Sequence, residues 1–258
     1  MIDQSQLSNL TKKYQTNSTV ILREYVQLLF LETLYSIKGS KDFIFKGGTA
    51  VHLIYGAPRF SEDLDFTVTC TQETATTILD KLFIKMKEIG DYSFKPKDTI
   101  TGLRYLMTIH VPVVSFTIFM NLDFSFREAT LSLGKSILQT EFPITTNSLI
   151  HHMDQDEIVS EKIRAILTRD KGRDIYDLWY LLGRGGKIHK DWVTAQFSYY
   201  EDKKLDLSSL ENKISSFPAK NFVEDLRPFV PESHRDQLAD RYKIIQSELI
   251  KKINKSLA

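Results

Sequence analysis

A single cysteine, Cys70, occurs in the 258 residues of the chain. One thiol closes no internal disulfide and builds no cysteine-based zinc site. Long hydrophobic runs are missing too. The most apolar stretch, Val20 to Ile37, is interrupted by Arg23, Glu24 and Glu32, which suits a buried helix rather than a membrane span. Met1 to Gln6 have neither the basic nor the apolar region of a signal peptide, so the cytoplasm is the expected compartment. There is no internal repeat and no low-complexity segment. Excess charge of either sign is also lacking, with a formal net charge of +1. A value this small neither indicates nor excludes a nucleic-acid partner, because phosphate binding depends on locally concentrated charge. The apolar and charged fractions are those of a globular protein. The length allows one large domain or two modest ones, each with a core.

Leu22 to Ile37 has the length and apolar density of a core helix. Phe43-Ile44-Phe45 is a short strand feeding a tight turn at Gly47-Gly48. Thr49 to Tyr55 then forms a short helix, closed by Gly56 and Pro58. Leu64 to Val68 is the next strand, and Thr74 to Ile89 an amphipathic helix ending at Gly90. Tyr92–Lys95, Tyr105–Val111 and Val114–Phe124 are rich in aromatic and β-branched residues and predict strands. From Asp156 the pattern is helical, with breaks near Gly172, Gly183 to Gly186, Pro218 and Pro228. The expectation is an α/β half over residues 1–150 and a helical half over 151–258.

Asp63 and Asp65 stand two apart, and residues at that spacing on a strand point to one face. Two close carboxylates resist ionising together unless a cation lies between them. Hard oxygen ligands in this arrangement suit Mg²⁺, which takes one or two carboxylates together with substrate phosphate oxygens. Upstream, Gly47-Gly48-Thr49 lies between strand and helix. Glycine lets the backbone approach a ligand closely, and free N–H groups at a helix start favour phosphate. Thr49 adds a hydroxyl donor and is expected to cap the helix. The combination puts a phosphate cradle and a metal site on adjacent elements.

The run Gly47-Gly48-Thr49, a short helix, and then Arg59-Phe60-Ser61-Glu62-Asp63-Leu64-Asp65-Phe66 resembles the signature of the DNA-polymerase-β-type nucleotidyltransferases. More narrowly, it resembles the AbiEii/MenT group of toxin nucleotidyltransferases. The resemblance implies an α+β fold: a polymerase-β-like core with a mixed sheet, followed by a helical C-terminal domain. It implies that Asp63 and Asp65 bind Mg²⁺, with Mn²⁺ as a compatible substitute, and that Gly47, Gly48 and Thr49 hold the phosphates of a nucleoside triphosphate. Arg59 and Ser61 belong to the same matched run and are candidate nucleotide contacts. The superfamily pattern also requires a third carboxylate on a later strand. Asp123 is the match, expected to complete the metal site and help deprotonate the attacking hydroxyl.

A second distinctive stretch runs from Glu161 to Leu178. Lys162 and Arg169 are seven apart, so on a helix they fall within about 20° of each other. Such a patch can bind a triphosphate or an RNA backbone, or can merely solvate a helix face. The stretch resembles the second block of the AbiEii/MenT group, which implies that Lys162 contacts phosphates and that an aspartate is needed for activity. Asp174 is the first choice for that aspartate and Asp177 the alternative. The resemblance further implies transfer of a nucleoside monophosphate to an acceptor hydroxyl, the 3′ end of tRNA, with translation blocked, and a cognate antitoxin. Other readings stay open: transfer to a protein or small molecule, a haloacid-dehalogenase-like phosphatase built on Asp63 to Val68, and a nucleotide-binding module without turnover. His151-His152 with Asp154 is set aside as a metal site, because adjacent histidines seldom both face one ion. Tyr199-Tyr200 could stack on bases, but packing is the expectation.

Overall fold

The structure, a computed structural model, describes residues 2–200 and 207–257. The chain divides into two compact units. One comprises Met1–Ile54 and Phe60–Met153; the other comprises Tyr55–Arg59 and Asp154–Ala258. The helical unit thus takes a five-residue segment from the middle of the sheet half, beyond the 151–258 expected for it.

The sheet unit opens with α1 (Gln4–Tyr14), absent from the sequence expectation, and α2 (Ser18–Tyr35). Asp3 and Gln6 form a reciprocal capping box on α1. β1 (Phe43–Lys46) leads directly into α3 (Gly47–Leu53). Then follow β2 (Leu64–Val68), α4 (Gln72–Ile89), β3 (Asp91–Lys97), β4 (Leu103–His110) and β5 (Ile118–Ser125). β5 starts four residues later than expected, because the chain turns between Val111 and Val114. Two short strands, β6 (Leu133–Ser136) and β7 (Ile150–Met153), complete the sheet.

The strand order is β3-β4-β5-β2-β1-β7-β6. It is a mixed sheet: β2 runs parallel to β5 and β1 parallel to β7, and the other neighbours are antiparallel. Alternation along the strands sends one set of side chains into the core. Phe66 stacks on Phe124 with ring centroids 5.2 Å apart, and Phe83 of α4 stacks on Phe94 of β3 at 4.0 Å. The polar residues of these strands take the opposite face.

In the helical unit, α5 (Gln155–Thr168) and α6 (Gly172–Gly183) form a pair. They are followed by α7 (Lys190–Ser198), α8 (Leu207–Ser216), α9 (Ala219–Leu226), α10 (Glu232–Arg235) and α11 (Leu238–Leu257). Gly172 begins α6, and a Cβ there would lie 2.8 Å from the Phe222 Cα, so glycine allows α6 and α9 to approach. Among the described residues no helix is long and apolar enough to cross a membrane.

Candidate active site

Sheet register assembles the site. Lys46 on β1 pairs with Asp65 on β2, Asp65 with Asp123 on β5, Asp123 with Arg104 on β4, and Arg104 with Lys97 on β3. Cross-strand partners share a face, so one row across five strands reads Lys46, Asp65, Asp123, Arg104, Lys97. Asp65 and Asp123 are immediate neighbours, on strands about 4.8 Å apart. Their carboxylates are flanked by a cation on each side.

Gly47 brings the turn against this row. Its φ of +76° lies in the left-handed region, and a Cβ at residue 47 would stand 2.3 Å from Asp65 Oδ2. Both facts call for glycine, and together they place the Asp65 carboxylate directly against the backbone of the turn. α3 starts at Gly47 rather than Thr49, so Thr49 is not its cap. The Thr49 side chain is buried and its hydroxyl donates to the Asp63 carbonyl, which ties the first turn of α3 to the start of β2. The first-turn N–H groups at 47–49 have no partner within the helix.

Asp63 stands one residue ahead of β2. Its Oδ1 accepts from the Asn121 backbone N–H at 3.1 Å and from Asn121 Nδ2 at 3.0 Å. Asp123 Oδ2 lies 3.4 Å from Arg104 Nε. Burial pushes the Asp123 carboxyl above its ordinary pKa, opposed by Arg104 and Lys46 and reinforced by Glu128 and Asp63. Lys46 Nζ is itself 3.5 Å from Oε1 of the buried Glu128. Lys46, Arg104 and Asn121 escaped the sequence reading, since only strand register reveals them, and so did Glu128, a loop residue met only through Lys46.

The three carboxylates expected around one cation do not converge as placed. Among the described residues no three His, Cys, Asp or Glu side chains are gathered so as to hold a metal ion. The reason is local: Asp63 turns to Asn121 and Asp123 to Arg104. The donor set still fits a hard divalent cation in its chemistry. All three groups offer carboxylate oxygens, two of them from paired positions on adjacent strands, which suits Mg²⁺ or Mn²⁺.

The expected second block lies in the helical unit and forms a buried chain of charges. Lys162 Nζ is 2.9 Å from Asp174 Oδ1 and 2.7 Å from Asp177 Oδ2. Asp177 takes Arg59 in a bidentate pair through Nε and Nη2. Asp174 also accepts from Arg169, Nε to Oδ2 at 2.8 Å and Nη2 to Oδ1 at 3.0 Å. Burial acts to raise the Asp174 pKa, but Lys162 and Arg169 override it and hold the carboxyl well below the usual range. Arg59 and Lys162 are buried, whereas the Arg169 side chain is 60 % exposed. Of the candidate cations in this chain, Arg169 is the one that reaches solvent. Asp174 and Asp177 thus divide the work, one between Lys162 and Arg169, the other between Lys162 and Arg59. Ser61 is held elsewhere, its carbonyl accepting from Gln27 at 3.1 Å within the sheet unit. The set-aside histidines face different neighbours: His152 meets Ser136 Oγ, and His151 stacks on Tyr35.

A mixed sheet, a glycine turn opening a short helix, and carboxylates on neighbouring parallel strands define a nucleotidyltransferase-type core. Residues 29–252 match the family described as "Nucleotidyl transferase AbiEii toxin, Type IV TA system". The chain belongs to that family of toxin-type nucleotidyltransferases. Membership implies a nucleoside triphosphate substrate and an antitoxin partner. A relative from Aquifex aeolicus (strain VF5), the uncharacterized protein aq_aa25, is 26 % identical over 208 residues, covering 78 % of this chain and 87 % of that one. The fold is similar to that of MenT4, a nucleotidyltransferase toxin from Mycobacterium tuberculosis H37Rv, at a TM-score of 0.59 and 15 % identity, covering 96 % of this chain and 90 % of that chain. It is also similar to JHP933 from Helicobacter pylori, at a TM-score of 0.54 and 20 % identity, covering 93 % and 95 %.

Proposed function

We propose that this nucleotidyltransferase transfers a nucleoside monophosphate from a triphosphate to the 3′-terminal hydroxyl of tRNA in the cytoplasm, blocking translation until its antitoxin intervenes. The observation that carries the reading is the pairing of Asp65 with Asp123, with the Asp65 carboxylate lying on Gly47. Two neighbouring like charges call for a cation, and the turn beside them offers backbone donors for phosphate.

In this reading Asp63, Asp65 and Asp123 hold Mg²⁺, or Mn²⁺ in its place. When bound, the ion supplies charge for the phosphate oxygens that develop negative charge in transfer. Asp63 and Asp123 reach that role by releasing Asn121 and Arg104. Gly47, Gly48 and Thr49 offer main-chain N–H groups to the triphosphate, while the buried Thr49 hydroxyl stays on the Asp63 carbonyl and fixes the turn. Asp123 receives the proton of the attacking hydroxyl, whose oxygen bonds to the α-phosphorus as the bond to the β-phosphate oxygen breaks and pyrophosphate leaves. The remaining contribution is positioning, which alone can supply several kcal/mol of the barrier. Arg169 is proposed as a cation for substrate phosphate. Lys162 serves the same end by exchanging a carboxylate for a phosphate, and Asp174 orients both. Arg59 acts from further back, by holding Asp177.

Incubating the protein with each labelled triphosphate, magnesium and a tRNA pool, and sequencing the modified ends, tests the reading. Label on tRNA 3′ ends, lost on chelation and restored by Mg²⁺ or Mn²⁺, is the expected result. Label on protein or a small acceptor alone would replace tRNA with that acceptor. Release of free phosphate from a generic phosphoester would reject transfer.

A further inference from the structure

The sheet unit has an open face whose composition matches a single-stranded nucleic acid. On β3, β4 and β5 the core-directed residues pack against helices, as Phe94 does on Phe83. The opposite face is laid out in rows set by register, each about 6.7 Å from the next. The first row carries Lys97 and Arg104 beside Asp123, the second carries Lys95, Leu106 and Asn121, and the third sets Phe119 beside Thr108. Lys95, Lys97 and Arg104 are exposed, and Phe119, near the start of β5, is 51 % exposed. A large aromatic ring flanked by polar neighbours and basic side chains contributes little to a core. It suits stacking on a base, with the cations tracking the phosphates.

We infer that this face is the seat of the acceptor strand, with Phe119 stacking on an unpaired base near the reacting end and Lys95 and Lys97 neutralising its phosphates. The inference rests on the reading that the acceptor is an RNA end, and it adds the surface that would hold it. Two features select a nucleic acid. The face is continuous with the candidate site, since Arg104 and Asp123 are paired neighbours. Apart from the site's own Asp123 and Asp63, its exposed charge is positive beside the site, and the next carboxylates along β3 are Asp91, one row beyond, and Asp98, past the end of the strand. The low net charge of the whole chain is no obstacle, because counterion release depends on the local patch.

The test uses the full chain without triphosphate and a short single-stranded RNA with a 5′ fluorophore, with anisotropy read over a salt series. Phe119→Ala should weaken binding roughly tenfold with the salt slope unchanged. The double variant Lys95→Gln, Lys97→Gln should weaken it and lower the log–log salt slope by about 1.4, about 0.7 for each phosphate no longer neutralised. Phe119→Ala should keep the wild-type affinity for a triphosphate, and both variants should keep the wild-type melting temperature. RNA affinity unchanged in both variants, or no RNA binding by the wild-type chain, overturns the inference; the first is also the result a protein-binding face would give. A chain that binds RNA through this face but does not extend it would sink the transfer reading and leave this one standing.

Discussion

The two units hold the same charges and use them in opposite ways. In the sheet unit three cations and two carboxylates, Lys46, Asp65, Asp123, Arg104 and Lys97, lie in one row with the carboxylates side by side. In the helical unit Arg59, Asp177, Lys162, Asp174 and Arg169 form a chain in which the signs alternate. Alternating charges satisfy each other and can be buried, and they hold structure together. Adjacent like charges do not satisfy each other, and Asp123 remains 38 % exposed in the structure. The row therefore invites a mobile cation, and the chain excludes one. Charge order rather than charge count separates the row, open to a metal ion, from the helical chain, which leaves Arg169 exposed for phosphate and buries the rest.

Four substitutions or conditions break or sharpen that contrast. The largest effect is expected for Asp65→Asn, which removes one of the adjacent carboxylates. Transfer should drop on the order of a thousandfold or more, while the melting temperature stays within about 2 °C; a variant that still transfers at the wild-type rate rejects the assigned role. Asp177→Ala should do the converse. It takes the bidentate carboxylate from buried Arg59 and one of two carboxylates from Lys162, and should cost about 3–5 kcal/mol in urea unfolding; a loss below about 1 kcal/mol would show that the alternating chain holds little together. Gly47→Ala should slow transfer about tenfold to a hundredfold by displacing Asp65. Its left-handed backbone adds a stability cost of about 1–2 kcal/mol.

The smallest effect is a pH dependence of folding. Asp174 is held below its ordinary value, so its contribution is complete above about pH 4 and declines as pH falls toward the folded pKa. Lys162 behaves oppositely. Burial would lower its pKa, but Asp174 and Asp177 raise it, so its contribution is complete below about pH 10 and is lost only above. Stability should fall by about 1 kcal/mol between pH 5 and pH 3 on account of Asp174. Asp174→Asn should remove that part of the acid limb in unfolding curves taken across the pH range.

What the sequence disclosed follows the same division. Gly47, Gly48, Asp63 and Asp65 were legible because their meaning depends on neighbours one to eighteen residues away in a recognisable motif. Most of the strands and the helical remainder were legible from periodicity. Lys46 and Arg104 were not, because they join the row only through strand register, which no local motif marks. Arg59 and Asp177 are 118 residues apart, and nothing local marks either as the partner of the other. β6 and β7 escaped because each is only four residues long and neither is an apolar run feeding a glycine turn, the cue that marked the equally short β1. α1 could have been found, since Asp3 and Gln6 carry the spacing of a capping box. Thr49 was misjudged as a cap because Gly47, in a left-handed conformation, opens the helix two residues earlier.

The segment Tyr55–Arg59 belongs to the helical unit although most of the sheet is encoded after it. On the ribosome, Arg59 emerges long before Asp177 exists, and its guanidinium must wait in water until the last third of the chain is made. A chain that terminates early would carry every acid of the sheet row yet leave Arg59 without its counterion. Cutting the gene between residues 153 and 154 would likewise separate Arg59 from Asp177, so the helical unit cannot be had whole as one continuous fragment.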